Sequence, residues 1–275
     1  VAASGAETKD FQGRQIKDYS RNDIGICVDL EPQLKVFAQF EKNEVDFVTM
    51  TIGGNDVGFG KIIANAVTSS KNHKFTNPCS LADQLNNAWE KYYKGTKKDP
   101  VCTKDKIQQA YKDVRSSTGD ETSIIVAGYP KLIEVKHDFQ IYFSEYEAEL
   151  INKNVSKFNQ ELEGVVNSLN DENFYFVSVE EAFDGHGAYS KNGSYINGIM
   201  KNKKYDLKEI DIHDLSNTLV SAYSMHPNEK GIEVYRTCVQ AKIDEIENAK
   251  GQALAETTTT TADIKEEAYW RKTYI

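Results

Sequence analysis

Three short stretches of the chain are apolar almost without interruption: residues 45–52 (VDFVTMTI), 123–127 (SIIVA) and 174–179 (FYFVSV). β-Branched and aromatic side chains dominate them, and turn residues bound each one, with Gly53-Gly54 after the first and Gly128-Tyr129-Pro130 after the second. Such a run has no polar face to offer water, so it predicts a strand covered on both sides, as in a parallel sheet. Elsewhere the apolar period lengthens to three and four. Phe143, Tyr146, Leu150, Phe158, Leu162, Val165 and Leu169 predict one long amphipathic helix with its polar face in solvent. Further helices are expected over residues 31–40, 81–93, 105–114 and 227–246. The last has Pro227 near its first turn, where a missing N–H costs nothing. Strands alternating with helices imply βαβ crossovers, so the expected fold class is α/β, a parallel sheet with helices on both faces. At Thr257 the pattern breaks into five consecutive threonines, which bury no apolar surface. The expected organisation is therefore a domain over residues 1–256, a Thr-rich linker at 257–261 and a tail at 262–275.

Composition narrows the function classes. The 275 residues carry 33 Lys plus Arg against 42 Asp plus Glu, a formal charge of −9, and the lysines are dispersed among acids. Binding to a polyphosphate backbone by bulk charge is disfavoured, and nucleic acid is not an expected partner. No run of about 18 apolar residues occurs, so no transmembrane segment is expected. The chain opens at Val1 with no Met and no signal-peptide pattern, and VAASGAETKD reads as the end of a strand entering a turn, so something upstream is expected to have been removed. The four cysteines, Cys27, Cys79, Cys102 and Cys238, form no C-x-x-C pair and allow three pairings. Cys79 and Cys102 bracket a Lys-rich helical insertion that a bridge would stabilise by roughly 3 kcal/mol. Asn154-Val155-Ser156 and Asn192-Gly193-Ser194 are glycan acceptor sequons. Bridge and sequons together favour an oxidising compartment, and a secreted, extracellular protein is expected.

Two polar stretches stand where chemistry is performed. Gly53-Gly54-Asn55-Asp56 closes the first apolar run, and open α/β sheets bind ligands at the carboxyl ends of their strands. It is not a phosphate loop: Gly58-Phe59-Gly60 is followed by Lys61, Ile62 and Ile63, which satisfies neither G-x-G-x-x-G nor the Walker pattern. The second stretch, residues 224–231 (SMHPNEKG), places His226 just before a helix-starting proline, in a loop positioned by rigid structure. Such a histidine is a candidate base. The other histidines read as solvated (His73, His137) or as a loop hydrogen-bonder (His186). Asp211-Ile212-His213-Asp214 reads as polar surface rather than a metal site.

Taken together, and in this order, these blocks resemble the SGNH (GDSL) hydrolase superfamily of esterases and lipases. Ser4-Gly5-Ala6 is similar to its second block, Gly53-Gly54-Asn55-Asp56 to its third and His226-Pro227 to its fifth. Gly128-Tyr129-Pro130, Phe183-Asp184-Gly185-His186-Gly187 and Tyr195-Ile196-Asn197-Gly198 are similar to the secreted, bacterial-type, disulfide-bearing branch. The resemblance covers roughly residues 1–245. It implies a three-layer α/β/α sandwich of flavodoxin-like type and a serine ester hydrolase needing no cofactor and no metal. His226 would take the proton of a serine that attacks a carboxylic ester, of lipid or short acyl type, to form an acyl-enzyme. The Asn55 amide, the Gly5 N–H and the nucleophile's own N–H would hold the oxyanion, at about 3 kcal/mol for each donor. Asp56 reads as a structural residue tying down its loop.

The sequence departs from the family at two places. No G-D-S block with the nucleophile occurs, and the resemblance puts it upstream of Val1. Three explanations stand: a cleaved protein whose N-terminal fragment supplies the serine strand, a truncated record, or a pseudoenzyme. The third makes the rival reading a non-catalytic binding module on the same fold. A sheet lacking its first strand would expose an unpaired edge, which disfavours natural loss. The chain alone is therefore expected to be inactive. The second departure is Tyr223, which stands where many members carry the Asp that orients the base. The expectation is that the Tyr223 carbonyl accepts the His226 Nδ1–H instead.

Overall fold

The computed structural model describes residues 6–18, 27–71, 78–135, 143–200 and 224–273. All three apolar runs are strands of one parallel sheet, β3 (Phe47–Met50), β4 (Ser123–Ala127) and β5 (Phe174–Val177), in the order β3-β4-β5. Val48 pairs with Ile124, and Ile125 with Tyr175. The central strand is buried along its whole length, as its unbroken apolar sequence requires, whereas β3 is only half-buried. Among the described residues β3 is paired on one side alone. Ahead of the sheet lies a small antiparallel ladder, β1 (Gln15–Asp18) with β2 (Cys27–Leu30). No apolar run marks it in the sequence, where Gln15-Ile16-Lys17-Asp18 is mostly polar.

The helices are α1 (Gly54–Val57), α2 (Phe59–Lys71), α3 (Pro78–Lys94), α4 (Thr103–Thr118), α5 (Glu145–Ser168) and α6 (Glu229–Thr273). Residues 31–40 contain a 3-10 helix, Gln33–Gln39, rather than an α-helix. Alternate residues of β4 face opposite ways. Ile124 and Val126 pack into a large cluster with Ile107, Tyr111, Phe158 and Leu162 of α4 and α5. Ile125 packs on the other side with Val177 and Ile246 of α6. The sheet thus lies between two helical layers, the expected three-layer arrangement. α5 starts at a capping box in which Ser144 Oγ accepts from Glu147 N at 3.2 Å and the Glu147 carboxylate accepts from Ser144 N at 2.8 Å.

Several expectations are corrected. Cys102 is buried at the N-cap of α4 with a free thiol, and Cys238 is free as well, so the staple between Cys79 and Cys102 is not formed. The insertion is held by packing instead: Leu81, Leu85, Trp89 and Tyr92 of α3 enter the main core. Asn154 is no accessible glycan acceptor, because it lies buried in α5, accepting from Trp89 Nε1 at 2.6 Å and donating to Leu150 O at 2.7 Å. Asn192 is exposed. The helix expected to end at Ile246 runs on through the threonines to Thr273, with no proline to stop it. No described helix is long and apolar enough to cross a membrane.

Candidate active site

The loop after β3 is built on left-handed glycines. Gly53 (φ 109) ends the strand's path, one helical turn follows, and Gly58 (φ 88) releases the chain into α2. Gly53 also has no room for a side chain, since an added Cβ would lie 2.8 Å from Ile107 and 3.1 Å from Phe158. This turn delivers Asn55 to the surface at the carboxyl edge of the sheet. Its amide Nδ2 donates one hydrogen to Ala6 O at 2.9 Å. That bond fixes which end of the side chain is the donor and leaves the second N–H available. Asp56 points the other way, into the protein, and is 7% exposed. Its carboxylate accepts from Thr8 N at 3.1 Å to both oxygens and from Thr8 Oγ1 at 2.6 Å. Burial raises its pKa above the ordinary carboxylate value despite those bonds. Asp56 is therefore the tie between this loop and residues 6–8.

Tyr129, from the Gly128-Tyr129-Pro130 turn after β4, braces the same loop. Its hydroxyl accepts from Gly54 N at 2.9 Å, and burial holds its pKa well above the ordinary phenol value. Asn159 of α5 pins the Tyr129 backbone on both sides, accepting from its N–H at 2.8 Å and donating to its carbonyl at 2.7 Å. A second Asn159 hydrogen reaches Glu180 at 2.7 Å. From α6, the Tyr235 hydroxyl donates to Gly128 O at 2.7 Å. The start of α6 is thereby moored to the carboxyl end of β4, one strand away from the Asn55 loop.

His226 lies exposed just ahead of α6. Its Nδ1 is 2.9 Å from Ser224 O. A carbonyl only accepts, so this nitrogen carries a hydrogen, and in the neutral imidazole the lone pair falls to Nε2. Within the described residues the carbonyl that meets this nitrogen is that of Ser224, and the carbonyl expected to do so, that of Tyr223, lies outside them; a carbonyl two residues back is reached because Met225 adopts the left-handed region at φ 59. Asn197 exchanges main-chain bonds across this bend, donating to His226 O at 2.9 Å and accepting from Met225 N at 3.1 Å. Asn228 caps the helix, its Oδ1 accepting from Gly231 N at 3.1 Å.

The structure thus brings the Asn55 loop and the His226 loop to one edge of the sheet through Tyr129 and Tyr235. Gly5, Ser4, Tyr223, His73, His137 and residues 211–214 lie outside the described residues. His186 is a loop hydrogen-bonder, 2.7 Å from Gly193 O and stacked on Tyr195 at 3.9 Å. Sequence reasoning missed Asn159 and the brace of Tyr129. The signal was present, since Asn159 falls on the buried stripe of α5 beside Phe158 and Leu162, where an unpaired amide would be costly.

A parallel sheet sandwiched by helices, with its polar loops gathered at the carboxyl edge, is the architecture of SGNH-type hydrolases. The profile of the GDSL-like lipase/acylhydrolase family matches residues 1–235, and the chain belongs to that family. Among solved structures, the fold is shared with an extracellular lipase from Streptomyces rimosus, at 20% identity and a TM-score of 0.55. It is shared equally with phospholipase A1 from Streptomyces albidoflavus, at 18% identity and a TM-score of 0.55. Each comparison covers 86% of this chain and 78% of the other. Among curated proteins, none matches the sequence.

Proposed function

We propose that this domain performs serine ester hydrolysis on carboxylic esters of lipid or short acyl type, with His226 as general base and Asn55 and Gly5 as oxyanion donors. The observation that carries the reading is the 2.9 Å contact between His226 Nδ1 and Ser224 O, which in the neutral imidazole puts the lone pair on Nε2 of an exposed side chain. A base so prepared needs no carboxylate partner. Nε2 takes the serine proton as Oγ attacks the ester carbonyl, and the imidazolium then returns it to the departing alcohol. Water repeats the sequence on the acyl-enzyme and releases the acid. The oxyanion is met by the second Asn55 N–H, whose sibling is anchored on Ala6 O.

The nucleophile in this reading is the serine of a G-D-S block, which these 275 residues do not contain. The side of β3 left unpaired among the described residues supports a place for it: a parallel strand laid along that edge would end beside Asn55. Action outside the cell is part of the proposal, supported by the fold shared with the extracellular lipase. The test joins a G-D-S strand ahead of Val1, or adds it as a separate peptide. That serine form is expected to be labelled by a fluorophosphonate probe and to hydrolyse p-nitrophenyl esters, and the chain alone to do neither. A correctly folded serine form that stays unlabelled would overturn the reading in favour of a binding module. Turnover by the chain alone would assign the nucleophile to another serine.

A further inference from the structure

We infer that the Ser224 hydroxyl is a positioning group for the base, locking in place the carbonyl that selects the His226 tautomer. The inference rests on the reading of His226 as a base but uses a different atom of Ser224. Ser224 is 8% exposed, and its Oγ makes two bonds to one residue, accepting from Met200 N at 2.9 Å and donating to Met200 O at 3.2 Å. Both capacities of the hydroxyl are thus spent on the main chain of a segment that crosses beneath the histidine loop. Three residues earlier in that segment, Asn197 bonds to Met225 N and His226 O. Asn228 continues the ladder, its N–H donating to Tyr195 O at 2.9 Å and its Nδ2 to Ser194 O at 2.7 Å.

The bend needs such support. Met225 at φ 59 carries a non-glycine side chain in the left-handed region, a conformation that persists only where the surroundings over-determine it. Relaxing that residue would swing the Ser224 carbonyl away from Nδ1, because the carbonyl and the imidazole flank it on either side. The main chain of Asn197 holds both peptide units of the bend, accepting from Met225 N in the unit that carries the Ser224 carbonyl and donating to His226 O beyond it. The hydroxyl adds a side-chain restraint on the Ser224 side, so one residue supplies both the acceptor that orients the imidazole and an anchor that keeps the acceptor aimed.

The test reads the tautomer directly in the chain as it stands. With ¹⁵N-labelled histidine, the His226 signals among the five histidines are identified by their loss in His226→Gln. The unsubstituted protein is expected to show a protonated Nδ1 and an unprotonated Nε2. Ser224→Ala should move His226 toward the Nε2–H form that an unrestrained histidine side chain prefers, with unchanged circular dichroism, and Ser224→Thr should restore the original signature. In the serine form, Ser224→Ala should lower kcat on the order of 10-fold with KM within about twofold, the pattern of a misaimed catalytic group. A folded Ser224→Ala protein that keeps the Nδ1–H signature would overturn the inference. If the alanine variant unfolds, Ser224→Cys replaces it: a weaker donor and acceptor should give a mixed tautomer, and a wild-type signature would overturn the inference there too. The proposed activity stands or falls separately, on whether His226→Ala silences the serine form.

Discussion

In the loop after β3 the left-handed positions are glycines, Gly53 and Gly58, and side chains do the holding: Asp56 grips Thr8, Asn55 grips Ala6 and Tyr129 grips Gly54 N. In the loop before α6 the left-handed position is Met225, and the holding is done mainly by bonds to the main chain of residues 194–200, from backbone groups and from the side chains of Ser224 and Asn228. The difference follows from what each loop presents in the proposed reading. There Asn55 offers an N–H from an amide whose other N–H is held by Ala6 O, so its neighbours supply specific polar partners. His226 offers a lone pair there, and one carbonyl behind the ring suffices. A loop held by side chains writes its purpose into residue types, whereas one held by its backbone conceals it.

The contrast can be broken at either end. The largest effect is expected from His226→Ala in the serine form, a loss of roughly 10⁴- to 10⁶-fold in ester hydrolysis, measured with p-nitrophenyl esters. Retained activity would remove His226 from the chemistry. Asn55→Ala should cost less, about 10²- to 10³-fold in kcat, because other oxyanion donors remain. Neither change should move the melting temperature much, since both side chains are exposed.

Stability effects come next. An alanine at Gly231 would put its Cβ 2.2 Å from Tyr195 O, so Gly231→Ala should destabilise by about 1–3 kcal/mol in denaturant titration as the histidine loop is forced off its ladder. Asp56→Ala leaves Thr8 N and Oγ1 buried without an acceptor and should cost about 1–3 kcal/mol. Asp56→Asn keeps one acceptor oxygen and should cost less. The pH dependence has a definite sign. The folded-state pKa of Asp56 is raised, so the proton is bound more tightly in the folded than in the unfolded protein. The stabilisation this gives is complete below the unfolded carboxylate pKa and is lost as pH rises through the folded value. The stability gap between wild type and Asp56→Asn should therefore be widest in acid and narrow toward neutrality; a gap that widens with pH would show that the Thr8 bonds outweigh burial. The smallest effect is expected at Gly58, where an added Cβ meets nothing within 4 Å and only the φ of 88 resists alanine, at roughly 1 kcal/mol.

Much of the architecture was legible because it rests on one-dimensional patterns. An unbroken apolar run such as Ser123–Ala127 can only be a covered strand, and the period of Phe158, Leu162 and Val165 can only be one face of a helix. The polar loops were legible for the same reason, since Asn55 and His226 interrupt such patterns where strands and helices turn. The staple and the sequon at Asn154 were misread because spacing says nothing of burial: Cys102 is sealed at a helix cap and Asn154 is committed to Trp89.

The sequence by itself determined the α/β alternation, the identity of the family and the two residues offered as donor and base, all of which depend on residue type and order along the chain. Only the tertiary structure decided that the Ser224 carbonyl meets His226 Nδ1, that Tyr129 and Tyr235 tie two distant loops to one strand end, and that Asp56 faces inward to Thr8. Each of these depends on a hydrogen bond whose partner is a backbone group or a residue remote in sequence, and every residue carries the same backbone groups. Which of them meet is fixed by packing, so no pattern of side chains announces it.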